Sequence, residues 1–165
     1  MNLLPPELID LARRVIEQNA AIGRKVALAE SCTGGLVAAA LTEIAGSSAV
    51  LDRGFVTYSN EAKQEVLGVS PDIIDTFGAV SIACAWAMAA GALKHSSADV
   101  AVAISGIAGP GGGTPEKPVG TVVFARSIRG EAEEDSNAEE RRFGEGERSE
   151  IRLQATLVAL ELLLP

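Results

Sequence analysis

The chain has little of what staples or stacks a protein: two cysteines, one tryptophan, one tyrosine and four phenylalanines in 165 residues, and a single histidine. Cys32 and Cys84 each lie among small or apolar residues with no paired spacing, which excludes a disulfide framework and a zinc site and fits a reduced, cytoplasmic interior. Neither a metal nor a cofactor is expected. His95 falls at a predicted helix end before Ser96-Ser97, the place of a surface cap, so a Ser-His-Asp triad is not expected either. Basic residues are too few for a nucleic-acid surface: 14 against 22 acidic ones give a net charge of −8. Such a balance cannot displace phosphate counterions over a broad face, and aromatics at 4% supply no stacking platform. The longest near-continuous apolar run, Ile82 to Leu93, is too short to cross a bilayer, and no charged n-region with an apolar h-region opens the chain. A local basic pocket for a small phosphorylated ligand stays compatible with the net charge.

What is present centres on Ala29-Glu30-Ser31-Cys32-Thr33-Gly34-Gly35, between the apolar extended run Val26 to Ala29 and the helix-like run Leu36 to Ile44. A strand-to-helix turn exposes the first N–H groups of its helix, a site for an anion or an oxyanion, and a serine there has the position of a nucleophile. The same residues also read as a capped helix start, with Ser31 or Thr33 as N-cap and Cys32 as a small buried thiol.

Around this turn the chain alternates elements. Pro5-Pro6 introduces an amphipathic helix carrying Leu8, Leu11, Ala12, Val15 and Ile16 and ending near Gly23. Lys25 to Ala29 is a strand, Gly35 to Ile44 a helix, and Ala49 to Tyr58 a second strand with an irregularity at Gly54. Ser59 or Asn60 caps a helix that holds Lys63 and ends at Gly68. Ser70-Pro71 starts a short helix, and Ser81 caps a small-residue helix through Leu93. Val100 to Ile104, apolar on both faces, reads as a central strand. It breaks into the glycine-dense Ser105 to Gly113. A strand from Val119 to Arg126, an acidic exposed turn from Gly130 to Glu140 and a short strand near Arg141-Arg142-Phe143 form an edge hairpin before a final helix, Arg148 to Leu164. The pattern predicts a single domain over residues 1–165, a three-layer α/β/α sandwich around a mixed, mostly parallel sheet.

Three polar clusters follow directly on apolar strands: Glu30-Ser31-Cys32-Thr33, then Tyr58-Ser59 with Lys63, then Ser105 with the glycine loop. If those strands run parallel, all three meet at one sheet edge, where α/β sheets bind ligands. The glycine loop lacks the endings and spacing of a P-loop or a dinucleotide fingerprint. Its density still permits close backbone approach to a phosphate, although a plain connection would look the same. With histidine excluded, a nucleophilic Ser31 needs a lysine as base, and Lys63, beside Tyr58, is the candidate; a solvated lysine on a helix face is the alternative.

Taken together, Ala29 to Gly35, Gly54 to Lys63, Ile104 to Gly112 and Lys117-Pro118-Val119-Gly120-Thr121-Val122 resemble the ordered motifs of the CinA C-terminal-domain family. The resemblance implies a nicotinamide-nucleotide amidase that converts nicotinamide mononucleotide to nicotinate mononucleotide and ammonia without a metal. It makes Ser31 the nucleophile, Lys63 its base and Tyr58 a partner that positions or shuttles the proton. It puts the backbone at Thr33, Gly34 and Gly35 near the oxyanion, and Ser105, Gly106, Gly109, Gly111 and Gly112 around the nucleotide. Arg148 corresponds to an arginine after a Phe-x-Gly-x pattern, here in a segment one residue longer. Many relatives carry a second, N-terminal domain, and this chain is expected to be the stand-alone form. A non-catalytic nucleotide-binding or damage-response module, in which the glycine loop holds a phosphate, is the rival expectation. The surplus of apolar helix surface in Ile82 to Leu93 and Ile151 to Leu164 predicts a homodimer.

Overall fold

Residues 1–132 and 136–165 are described by a computed structural model. Helix α1 (Pro6–Ala21) precedes strand β1 (Val26–Glu30) and helix α2 (Leu36–Thr42). A short 3-10 turn, Ser47–Ala49, leads into β2 (Leu51–Val56), and three helices follow: α3 (Asn60–Leu67), α4 (Pro71–Phe77) and α5 (Ile82–Lys94). Strands β3 (Val100–Gly106), β4 (Thr121–Ile128) and β5 (Asn137–Arg142) and helix α6 (Arg148–Leu162) complete the order. The helix starts are local: the hydroxyls of Ser59, Ser70 and Ser81 accept from N–H groups of Ala62, Asp72 and Cys84.

The sheet order is β2-β1-β3-β4-β5, with β2, β1 and β3 parallel and β4 antiparallel to both of its neighbours. Four strands therefore run one way and only β4 runs against them, which is the expected mixed, mostly parallel sheet. Helices α1, α2 and α6 cover one face and α3 to α5 the other, giving three layers. Side chains alternate across a strand, so Val26, Leu28, Val100, Val102 and Ile104 fill the first face while Ala27, Ala29, Ala101 and Ala103 line the second. That alanine floor lets α5 approach closely. Gly91 of α5 extends the same logic toward α3, because a Cβ there would lie 2.1 Å from the Leu67 carbonyl oxygen.

Two sequence expectations shift. The irregularity of β2 lies at Asp52 rather than Gly54: Val26 pairs with Leu51 and Ala27 with Arg53, so one residue is looped out near the strand's start. The outer hairpin strand begins at Asn137, ahead of Arg141, because pairing with Phe124 to Arg126 of β4 extends it backwards. Residues 133–135 of the predicted acidic turn lie outside the described residues.

Candidate active site

With β1, β2 and β3 parallel, their carboxyl ends converge, and the three polar clusters meet there. Ser31 leaves β1 still tied to the sheet, its N–H donating to the Ile104 carbonyl at 2.9 Å. The chain then turns sharply through Gly34 at φ 57° and Gly35 at φ 102°, left-handed values that glycine adopts without a steric penalty.

Glu30 decides what this turn offers. Its carboxylate is 1% exposed and accepts from the Thr33 hydroxyl at 2.7 Å, the Val37 N–H at 3.0 Å and the Ala38 N–H at 3.1 Å. The helix N-terminus that the sequence offered to an external anion is thus occupied by the chain's own carboxylate. The N–H of Gly34 is also taken, by the Ser31 carbonyl at 3.0 Å. Among the described residues, no acceptor takes the N–H of Cys32 or Thr33.

Lys63 enters from the first turn of α3 and is 1% exposed. Its Nζ lies 3.0 Å from Ser31 Oγ, 2.8 Å from the Thr57 carbonyl and 3.0 Å from the Tyr58 carbonyl. No carboxylate reaches it among the described residues, and burial lowers its pKa. A neutral amine has two N–H donors and one lone pair; the two carbonyls absorb the donors, which leaves the lone pair to the Ser31 hydroxyl. The protonated form is also satisfied, donating to all three oxygens. One arrangement of heavy atoms therefore suits both states of a proton carrier.

Tyr58 reaches Lys63 through its main chain. Its side chain is 63% exposed and its hydroxyl accepts from Arg148 Nη2 at 3.2 Å. Arg148 also donates to the Gly109 carbonyl at 2.7 Å, so the longer segment before α6 still brings it to the mouth of the site. Ser105 is buried and donates to the Ala79 carbonyl at 2.9 Å. These groups surround a cavity of about 230 Å³ whose walls are Ser31 and Cys32 of the turn, Tyr58, Asn60 and Lys63 around α3, Ala79 and Val80 before α5, Ser105, Gly106 and Ala108 after β3, and Arg148. Gly111 and Gly112 are exposed and outside this wall. Cys32 is a buried thiol pushed up to about 11, chiefly by desolvation, and so is held in its unreactive form. A larger apolar cavity of about 710 Å³ runs along α4 and α5, but its titratable groups are only Lys94 and His95 at one end. The His95 ring is engaged with the Gly91 carbonyl at 2.8 Å, as a cap should be. Among the described residues no group of three or more His, Cys, Asp and Glu side chains is placed to hold a metal ion, and no helix is long and apolar enough to cross a membrane.

Two further contributors carry no recognisable motif in the sequence. Glu30 stands beside Ser31 as an acid closing an apolar strand, a position that signals a buried partner. Arg152 lies four residues after Arg148, hence on the same face of α6, and donates to the carbonyls of Cys32 and Thr33 at 3.0 and 3.4 Å.

The chain has known relatives over nearly its whole length. The sequence model of the CinA C-terminal domain matches residues 8–165. The nicotinamide-nucleotide amidohydrolase PncC of Escherichia coli K12 is 51% identical over 158 residues, covering 95% of this chain and 93% of that protein. A CinA-like protein of Mycolicibacterium vanbaalenii is 57% identical over 141 residues, and the matched part is 86% of this chain but only 32% of that longer protein. Among solved structures, the competence/damage inducible protein CihA of Agrobacterium tumefaciens superposes with a TM-score of 0.94 at 54% identity, covering 99% of this chain and 97% of that one.

Proposed function

The chain belongs to the CinA C-terminal domain family, and from that premise we propose that it is an amidohydrolase that converts nicotinamide mononucleotide to nicotinate mononucleotide and ammonia. The name of the Escherichia coli relative, which spans nearly the same length, supports the substrate. The observation that carries the chemistry is the buried Lys63 amine 3.0 Å from Ser31 Oγ with two carbonyls occupying its donors.

In this reading Ser31 Oγ adds to the carboxamide carbon while its proton passes to Lys63 Nζ. Collapse of the tetrahedral intermediate expels the amide nitrogen as ammonia, with Lys63 returning the proton. Water then adds to the acyl-enzyme and gives one proton to Lys63, which passes it to the departing Ser31 oxygen. The acid formed releases its remaining proton to solvent as the carboxylate. The nicotinamide ring of the substrate is cationic, which favours a neutral rather than a charged lysine next to it. A cavity of about 230 Å³ is smaller than the ~300–1,000 Å³ typical of small-molecule sites, so it suits the ring and carboxamide. The ribose phosphate would extend through the mouth, where Arg148 offers its charge and the loop from Gly106 to Gly112 offers close-lying backbone; Ser105 and Asn60 flank the ring. Tyr58 orients Lys63 through its carbonyl and Arg148 through its hydroxyl.

Ammonia release from nicotinamide mononucleotide, compared with free nicotinamide, tests the proposal. Release from the nucleotide alone is expected. Retained binding with no ammonia from either compound would replace it by the non-catalytic nucleotide-binding module. The two buried free thiols support a reducing, cytoplasmic setting. The neighbouring exposed side chains Phe77, Ile82 and Trp86 support a homodimer.

A further inference from the structure

Arg152 reaches the nucleophile turn through main-chain oxygens and, unlike Arg148, is not part of the cavity wall. It lies on α6 one turn beyond Arg148. No carboxylate lies within ion-pair distance of it among the described residues. Its charge is spent on main-chain oxygens: Nε donates to the Cys32 carbonyl at 3.0 Å and Nη2 to the Thr33 carbonyl at 3.4 Å.

Following the peptide units shows where that polarisation leads. The Cys32 carbonyl belongs to the same amide as the Thr33 N–H. The Thr33 carbonyl belongs to the same amide as the Gly34 N–H, which donates to the Ser31 carbonyl at 3.0 Å, and that carbonyl shares its amide with the Cys32 N–H. Two relays therefore start at one guanidinium and end at the N–H groups of Thr33 and Cys32, which no described residue accepts. The Gly35 N–H is also without an acceptor among the described residues, but neither relay reaches it. Linked amides polarise one another, and a charged donor at the head strengthens the chain. The N–H that follows a nucleophilic serine is a recurrent oxyanion donor.

We propose that Arg152 is a positioning residue for the nucleophile: it locks the Cys32–Thr33 and Thr33–Gly34 peptides and, through them, polarises the N–H groups of Cys32 and Thr33 toward the oxyanion. The inference rests on Ser31 being the nucleophile. In the step concerned, Ser31 Oγ bonds to the carbonyl carbon, its proton moves to Lys63 Nζ, and the carbonyl π pair moves onto the oxygen that these N–H groups then hold. Arg152 itself touches neither substrate nor reacting atoms.

Two readouts on the intact chain test this. The first is the rate at which a fluorophosphonate modifies Ser31, located by mass spectrometry, since addition at phosphorus develops the same kind of oxyanion without needing the natural substrate. The second is kcat and KM with nicotinamide mononucleotide. Arg152→Met is expected to slow labelling and lower kcat by about 30-fold, less than the ~100-fold or more for deleting an oxyanion donor outright. KM should stay within about three-fold, because no substrate contact is lost. Arg152→Lys should fall between, and added guanidinium ion should restore part of kcat to Arg152→Ala. A raised KM with kcat preserved would make Arg152 a substrate-binding group and overturn the inference, as would unchanged labelling and turnover. Loss accompanied by a lowered melting temperature, with no recovery from lysine or guanidinium, would reduce Arg152 to a structural brace and overturn it too. Wild-type chain labelled at Ser31 but releasing no ammonia removes the amidase reading and leaves this one standing; no labelling of Ser31 removes the nucleophile and this inference with it.

Discussion

Glu30 and Thr33 are joined by a 2.7 Å hydrogen bond from the Thr33 hydroxyl to a carboxylate that is 1% exposed. The same carboxylate takes the first free N–H groups of α2, so a negative charge buried at the end of β1 is balanced by a helix N-terminus instead of a basic side chain. Glu30→Gln keeps the shape but turns one acceptor oxygen into an amide NH₂ facing an N–H donor. It should cost about 1–3 kcal/mol of stability, the range for leaving a buried polar group unsatisfied. Urea unfolding of both chains measures this, and an unchanged midpoint would show that the carboxylate's charge is not needed.

Ser31 and Cys32 are neighbours with opposite expectations. Ser31→Ala should abolish ammonia release while nucleotide affinity stays within a few-fold, because only the attacking atom is lost. Cys32→Ala should keep most of the activity, since burial holds this thiol protonated at about 11. Steady-state kinetics with equilibrium binding separates the two, and an active Ser31→Ala chain would overturn the mechanism.

The lowered pKa of Lys63 fixes the sign of two pH effects. Activity should rise with pH as the amine loses its proton, through a midpoint below the ordinary ~10.4. Between that lowered value and ~10.4 the unfolded chain binds one proton more at Lys63 than the native one, so the Lys63 contribution to stability should rise with pH across this window and level off above it. Cys32, held protonated up to about 11, opposes it at the alkaline end, and the difference between wild type and Lys63→Met isolates the lysine's share. Lys63→Arg cannot deprotonate at working pH and should be nearly as inactive as Lys63→Ala. A well-active Lys63→Arg chain would rule out the general base.

Trp86 and Phe77 border the large apolar cavity on the α4 and α5 side and keep 36% and 54% of their surface exposed. If this face is the homodimer interface, Trp86→Glu should shift the mass from dimer to monomer in light scattering, because a charge would be buried there without a partner. A wild-type monomer at micromolar concentration would remove the interface altogether.

Much of this molecule follows from sequence because the determinants are local. Hydrophobic periods of 2 and 3.6 place the strands and helices. Ser59, Ser70 and Ser81 cap the helices they precede, and Gly68 ends its helix in a left-handed turn. The placing of Ser31, Lys63 and Ser105 just beyond apolar strands already indicates one sheet edge, once those strands are parallel. Strand direction itself is decided by long-range pairing, and so are the contacts that define the site: Lys63 meets Ser31 across 32 residues and Arg152 meets Cys32 across 120. The contacts of Thr57 and Cys32, and the main-chain contact of Tyr58 with Lys63, are invisible in sequence for a further reason, since they are made by carbonyl oxygens that every residue carries and no side-chain pattern reports. Glu30 was visible as a letter, but whether the N-terminus of α2 faces a ligand or an internal carboxylate depends on how the turn through Gly34 and Gly35 folds back over it. Only tertiary packing sets that, because a buried carboxylate must find its donors among whatever groups the fold brings within reach.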